Sequence, residues 1–113
     1  MSGFQVVTPV KLGQAALTAV IATVYGPVAA NTRTMVKCID LCNTTAGVLT
    51  ATVHLVPSGG AAAAANMLIP GITLNGNTPF QWTGTQVLNA GDTIQALSSG
   101  AGVTINVSGG EAV

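Results

Sequence analysis

Turn-forming residues divide the chain into short segments, and this spacing restricts the fold more than any other feature of the sequence. Stretches rich in Val, Ile and Thr are interrupted by Gly, Pro or Asn-Gly about every 8–12 residues, which is typical of all-β domains. The stretch from Val48 to Val56 alternates most clearly, with Leu49 and Val53 on one face and Thr52 and His54 on the other. This period of two predicts strands with one buried face.

The stretches with this pattern predict an all-β chain: a single antiparallel β-sandwich, jelly-roll or immunoglobulin-like, of about seven to eight strands. Residues 15–113 form the predicted sandwich domain, and residues 1–14, which show little periodicity, form an extended N-terminal arm. The five alanines at 61–65 predict a loop or a single helical turn. The predicted strand pieces are residues 17–25, 33–42, 48–56, 66–70, 71–74, 78–83, 86–88, 93–97 and 103–107.

Charge is scarce: charged residues are 5% of the chain, against roughly 25% in an ordinary soluble domain. The charged residues are Lys11, Arg33, Lys37, Asp40, Asp92 and Glu111. Three cations cannot form the basic cluster that a nucleic-acid partner requires. A free monomer usually carries net charge to stay soluble, whereas this chain has a formal net charge of zero. We therefore expect copies of the chain itself, or a partner protein, to cover much of its surface.

A membrane partner is not expected either. A spanning helix needs about 20 consecutive apolar residues, and the longest candidate, residues 15–28, is shorter and is interrupted by Thr18, Thr23 and Pro27. The first fourteen residues lack the cationic start and apolar block of a secretory signal. Export by the general secretory pathway is therefore not predicted.

The two cysteines, Cys38 and Cys42, are four residues apart in a predicted strand. This spacing puts them on one face about 13 Å apart, whereas a disulfide needs Cα atoms within about 7 Å. We therefore expect two small buried apolar side chains. A bridge from one of them to a neighbouring subunit is the alternative.

Few residues could carry chemistry, since the chain has one histidine, three carboxylates and two cysteines. His54, opposite the apolar face of its strand, is expected to be exposed or to face another subunit. Asp92 follows Gly91, where a short carboxylate commonly bonds turn amides. Asp40 shares a strand with Arg33 and Lys37, which favours an ion pair across strands or subunits. We predict no enzyme activity, no cofactor and no metal site.

Two further patterns have some features of binding motifs. Ser58-Gly59-Gly60 lacks the following Lys of a phosphate-binding loop. Phe80 and Trp82 share one face of a predicted strand, which favours a place in the core over a carbohydrate platform.

Several stretches resemble small virion proteins of tailed bacteriophages. They cover most of residues 25–110 and comprise YGPVAANTR (25–33), VKCIDLCNT (36–44), VHLVPSGG (53–60), VLNAGDTIQA (87–96) and residues 103–109. The resemblance implies a β-sandwich subunit of a phage particle, made in the host cytoplasm. It does not include the N-terminal arm, so the role of the arm is inferred separately.

Three functions follow as hypotheses. The first is a capsid decoration protein, a homotrimer on the head surface that binds the major capsid protein or another virion protein and stabilises the shell. The second is a neck, tail or fibre component, with Trp82 and residues 59–65 as candidate contacts. The third is a free glycan-binding sandwich. For the decoration-protein hypothesis, we expect the N-terminal arm to add as a strand to a neighbouring subunit. The predicted partner contacts are Phe4, Val6, Val7, Val10, Leu12, Arg33, Lys37, Asp40 and His54.

Overall fold

The computed structural model describes residues 7–112, which form two four-stranded antiparallel sheets with almost no helix. A 3₁₀ turn at Ala64–Asn66 precedes the fifth strand, as the alanine run predicted. The strands are β1 (Val7–Leu17), β2 (Ala22–Tyr25), β3 (Arg33–Asn43), β4 (Leu49–Val56), β5 (Met67–Leu74), β6 (Pro79–Leu88), β7 (Thr93–Ser98) and β8 (Val103–Ala112).

The strand order is β1-β8-β3-β6 in the first sheet and β2-β7-β4-β5 in the second. The chain therefore pairs first with last, second with seventh, third with sixth and fourth with fifth, which is the order of a jelly roll. An immunoglobulin-like sandwich would instead place its first two strands side by side. The predicted β-sandwich is confirmed. Of the two predicted forms, the strand order is that of the jelly roll and not of the immunoglobulin-like sandwich.

The core lies between the sheets and is built by alternate residues of the central strands. On β8, Val103, Ile105 and Val107 are at most 1% exposed, as their alternation predicted. Val36, Ile39 and Leu41 of β3 pack opposite Ala51, Val53, Ile94 and Ala96 of the second sheet. Burial of these aliphatic side chains supplies the main stabilising term for the fold.

The first strand differs most from the sequence prediction. Residues 7–14, which we assigned to the arm, are part of β1 and pair with β8. The sequence of β1 shows no clear alternation of apolar and polar residues, because the strand contains Pro9 and has a register shift between Lys11 and Gly13. The strand predicted at residues 17–25 is split at residues 18–21, where Val20 N–H donates to Thr18 Oγ1 at 3.2 Å. This local bond favours a turn.

Glycine and proline proved to be weaker strand terminators than we predicted. Pro70 and Gly71 lie inside β5, where Gly71 has φ of +51°. Strand β8 continues through Gly109 to Ala112. A Cβ at Gly109 would collide with the carbonyl oxygen of Met35. This glycine therefore marks a close approach of two strands rather than a strand end.

No helix in the described part of the chain is both long and apolar enough to cross a membrane.

Candidate interaction surface

The outer face of the β1-β8-β3-β6 sheet carries the charged residues that the sequence singled out on β3. Arg33 and Lys37 are exposed and Asp40 is half-buried, while Thr34, Val36 and Ile39 between them are buried. Lys37 Nζ donates to Thr85 Oγ1 at 2.8 Å. Gln81 Nε2 donates to Asp40 Oδ1 at 2.9 Å. These bonds attach Lys37 and Asp40 to β6, so the polar positions of β3 help to fix the register between β3 and β6.

A shallow depression of about 630 Å³ lies beside Lys37 on this face. The small residues Ser108 and Gly109 of β8 lie in its lining, together with Lys11 of β1 and Lys37 of β3. Its lining is mostly apolar, with two lysine side chains beside it. Such a surface can receive an apolar side chain from a partner protein.

Both cysteines are free and half-buried on the same outer face. The prediction of buried cysteines is therefore wrong: both point away from the core, since Ile39 and Leu41 occupy the inward positions of β3. Burial and the nearby Asp40 carboxylate raise the pKa of the Cys38 thiol. This lowers its thiolate fraction and therefore its reactivity.

His54 is 5% exposed, so the prediction of an exposed or subunit-facing side chain is wrong. The chain's own β4–β5 connection covers it. His54 Nδ1 donates to the carbonyl oxygen of Ala63 at 3.1 Å and to Asn66 Oδ1 at 2.9 Å. Because both partners are acceptors, these bonds require the proton on Nδ1. His54 therefore holds a loop in place and is not available to a partner.

Asp92 has the structural role that the sequence predicted. Its Oδ1 accepts the Ser58 N–H and its Oδ2 accepts the Asn89 N–H, each at 2.9 Å. Its backbone carbonyl also accepts the Val28 N–H at 3.0 Å. The Asp92 carboxylate thus joins its own β6–β7 connection to the β4–β5 connection, and its backbone carbonyl adds the β2–β3 connection.

The predicted arm contacts have different environments. Phe4 and Val6 lie outside the described residues. Val7 is 56% exposed, and Val10 is half-buried against the core. Leu12 is a core residue at 7% exposure, so a partner cannot reach it without opening the sandwich.

The sandwich has a closed side, where β1 and β2 meet. There the Tyr25 hydroxyl of β2 donates to the Glu111 carboxylate of β8 and lies 2.7 Å from Thr34 Oγ1 of β3. Gly13 brings the backbones together, since a Cβ on it would lie 2.7 Å from the carbonyl oxygen of Val24. Sequence reasoning missed this site, because partners so far apart along the chain leave no local pattern.

The opposite side, formed by β5 and β6, is the open side. A cleft of about 480 Å³ between the sheets is lined there by residues such as Leu55, Leu68 and Gln86. Trp82 packs against the core, as predicted, but remains only half-buried. Phe80 is 37% exposed and Val87 is 50% exposed. Large apolar side chains of β6 are thus accessible to a partner.

Within residues 7–112, no group of three or more His, Cys, Asp or Glu side chains could hold a metal ion.

Comparison with models of known protein families finds no match, and comparison with curated proteins finds none. Solved structures do match. A chain of the infectious bursal disease virus Gx strain is 14% identical with a TM-score of 0.56, over 95% of this chain and 32% of that chain. A chain from Bacillus endospore appendages, described as a novel family of disulfide-linked pili, is 13% identical with a TM-score of 0.57. The match covers 96% of this chain and 87% of that chain.

The present chain thus spans about a third of the length of the virus chain, but most of the length of the pilus chain. At these identities the likeness establishes a shared fold.

Proposed function

We propose that the chain is a non-enzymatic structural subunit of a virus particle. Within that class, we propose a capsid decoration protein of a tailed bacteriophage, which binds the assembled head as a homotrimer. The observation that carries the proposal is a jelly-roll sandwich with only six charged residues, listed above, in 113. A surface so poor in charge is suited to contact with other subunits. The similarity in fold to a virus chain supports the assignment.

The proposed mechanism is stabilisation by selective binding. A subunit that binds the assembled shell but not its separated components stabilises the shell, by about 2.7 kcal/mol per site when present at one hundred times its dissociation constant. The proposed docking surface is the outer face that carries Arg33, Lys37 and Asp40, together with the depression beside Lys37. The proposed partner is the major capsid protein or another virion protein.

The deciding experiment is electron microscopy of native particles with an antibody against the protein. Labelling over the whole head is expected for a decoration protein. Labelling confined to one vertex or to the tail would reject decoration. Light scattering coupled to gel filtration tests the trimer separately, because a mass near 11.1 kDa at micromolar concentration would contradict it.

A second candidate is a subunit of a fibre or tail, acting as an adaptor or receptor-binding module. The observation that favours it is the similarity to a pilus subunit over 87% of that subunit's length, since pilus subunits self-assemble into filaments. The same labelling experiment separates the candidates. The third hypothesis, a free glycan-binding sandwich, loses support because Trp82 packs against the core.

A further inference from the structure

The four edge strands of the described sandwich are unequally protected against pairing with another chain. Natural edges are blunted by short length, proline, charged side chains or bulges. Strand β2 has four residues, β1 contains Pro9 and Lys11, and β5 contains Pro70. Strand β6 has no charged residue and no proline after Pro79. One register shift interrupts its pairing with β3, and the stretch up to Thr83 pairs regularly.

The surroundings of β6 suit an added strand with apolar side chains. An added strand would lie over the open side, so its inward side chains would face the cleft of about 480 Å³. Val87, which is 50% exposed and follows the cleft-lining Gln86 on β6, would lie beside the added strand. None of the cleft-lining residues is charged, so an uncharged segment can enter without burying an unpaired charge.

Residues 2–6 of the chain, Ser-Gly-Phe-Gln-Val, have these properties. The segment is uncharged, and Phe4 and Val6 alternate with the polar Gln5, which is the period of a strand with one apolar face. It directly precedes β1, at the sheet end where Leu88 terminates β6.

The β6 edge of the same molecule is beyond useful reach of this segment. From β1 to β6 the sheet has three interstrand spacings, about 14 Å in all. Five extended residues span at most ~17 Å, so almost none of the segment would remain to run along β6. A neighbouring copy is not subject to this limit.

We propose that residues 2–6 of one copy add as a strand to the β6 edge of a neighbouring copy, with Phe4 and Val6 directed toward the cleft. The inference extends the proposed function, which requires self-association, by naming the inserted segment and the edge that receives it.

The test is amide hydrogen exchange of the full chain at high and low protein concentration. At high concentration the β6 amides that do not pair with β3 are expected to exchange about tenfold more slowly if nine-tenths of the edges are occupied. The double substitution Phe4→Ser with Val6→Ser should remove this protection. The matched control Gln5→Ser should keep it, because Gln5 is directed away from the cleft. Unchanged protection of β3 amides verifies folding.

A peptide of residues 2–7, added to the double-substituted chain, should restore slow exchange at β6. The proposal is overturned if β6 shows no concentration-dependent protection, if β1 or β5 is protected instead, or if the double substitution has no effect. Because the hydrogen-exchange experiment uses no virus particle, its outcome is independent of the microscopy. Protected β6 edges with no labelling of particles would retain this inference and reject the proposed function.

Discussion

The closed and open sides of the sandwich join the same two sheets in different ways. On the closed side, Gly13 allows close backbone contact with β2, and Tyr25 of one sheet bonds to Thr34 and Glu111 of the other. On the open side, an uncharged cleft separates the sheets, and Phe80 is 37% exposed. The chain therefore completes its own structure on one side and leaves apolar surface on the other. If copies of the chain associate, this asymmetry favours contact through the open side.

The closed side should be the more sensitive to added volume. Gly13→Ala places a methyl group 2.7 Å from the Val24 carbonyl oxygen, and overpacking of this kind costs about 3 kcal/mol. Urea unfolding measures the loss. Gly47→Ala is the matched control, since a Cβ there meets nothing within 4 Å, and its free energy of unfolding should stay within about 0.5 kcal/mol of the parent. Equal stability of the two variants would contradict close contact on this side.

The open side should be sensitive to loss of one aromatic side chain. Trp82 packs against the core but is half-buried, so Trp82→Ala should cost about 2 kcal/mol, less than a fully buried aromatic residue. Chemical denaturation gives this value. Thr83→Ser is the control on the same strand, because Thr83 is exposed. A loss no greater than that of Thr83→Ser would show that Trp82 does not cover the core.

The difference between the sides also explains how far the sequence could predict the fold. Central strands β3 and β4 have one buried face, so the predicted and observed bounds agree within one residue. Edge strands β1 and β6 are exposed along most of their length, so burial imposes no alternation on them. The sequence therefore predicts an arm over residues 7–14 of β1 and two separate strand pieces in place of β6.

Roles of individual side chains could be predicted only where their partners are close along the chain. Asp92 was predicted correctly because its turn partner Asn89 is three residues away. His54 was placed correctly opposite the core face, but the loop that covers it begins beyond the end of its strand. The contact of Tyr25 with Glu111 spans 86 residues and depends on jelly-roll pairing, which the sequence left open.

The hydroxyl group of Tyr25 tests the polar part of the closed side. Tyr25→Phe removes its bonds to Glu111 and Thr34 while keeping the ring, so we expect a loss of about 1 kcal/mol near neutral pH. Thermal unfolding with denaturant titration measures it. Thr23→Val provides a control on the same strand, at an exposed position. A cost no greater than that of the control would reject Tyr25 as a link between the sheets.

The same substitution should alter the dependence of stability on pH. Burial, followed by the hydrogen bond to the Glu111 carboxylate, raises the pKa of Tyr25 above its ordinary value of 10.0. Above that pH the unfolded chain loses the phenolic proton while the folded chain keeps it, so stability falls as pH rises. The stability of the Tyr25→Phe variant should therefore fall less steeply as pH rises. The pKa of Cys38 is also raised, but Cys38 is present in both proteins, so its contribution does not alter the difference between them. Identical slopes would contradict a raised pKa for Tyr25.

The smallest effect on folding, but a selective effect on association, is expected at Val87. Val87 is 50% exposed on β6, and Val20, in the β1–β2 turn at the closed side, is 72% exposed. Substituting either with Thr should change the free energy of unfolding by no more than about 0.5 kcal/mol. If copies associate through the open side, Val87→Thr removes apolar area from the contact and should raise the dissociation constant about fivefold. Val20→Thr should leave it unchanged. Sedimentation equilibrium measures both constants, and equal weakening by the two substitutions would mean that association does not distinguish the open side from the closed side.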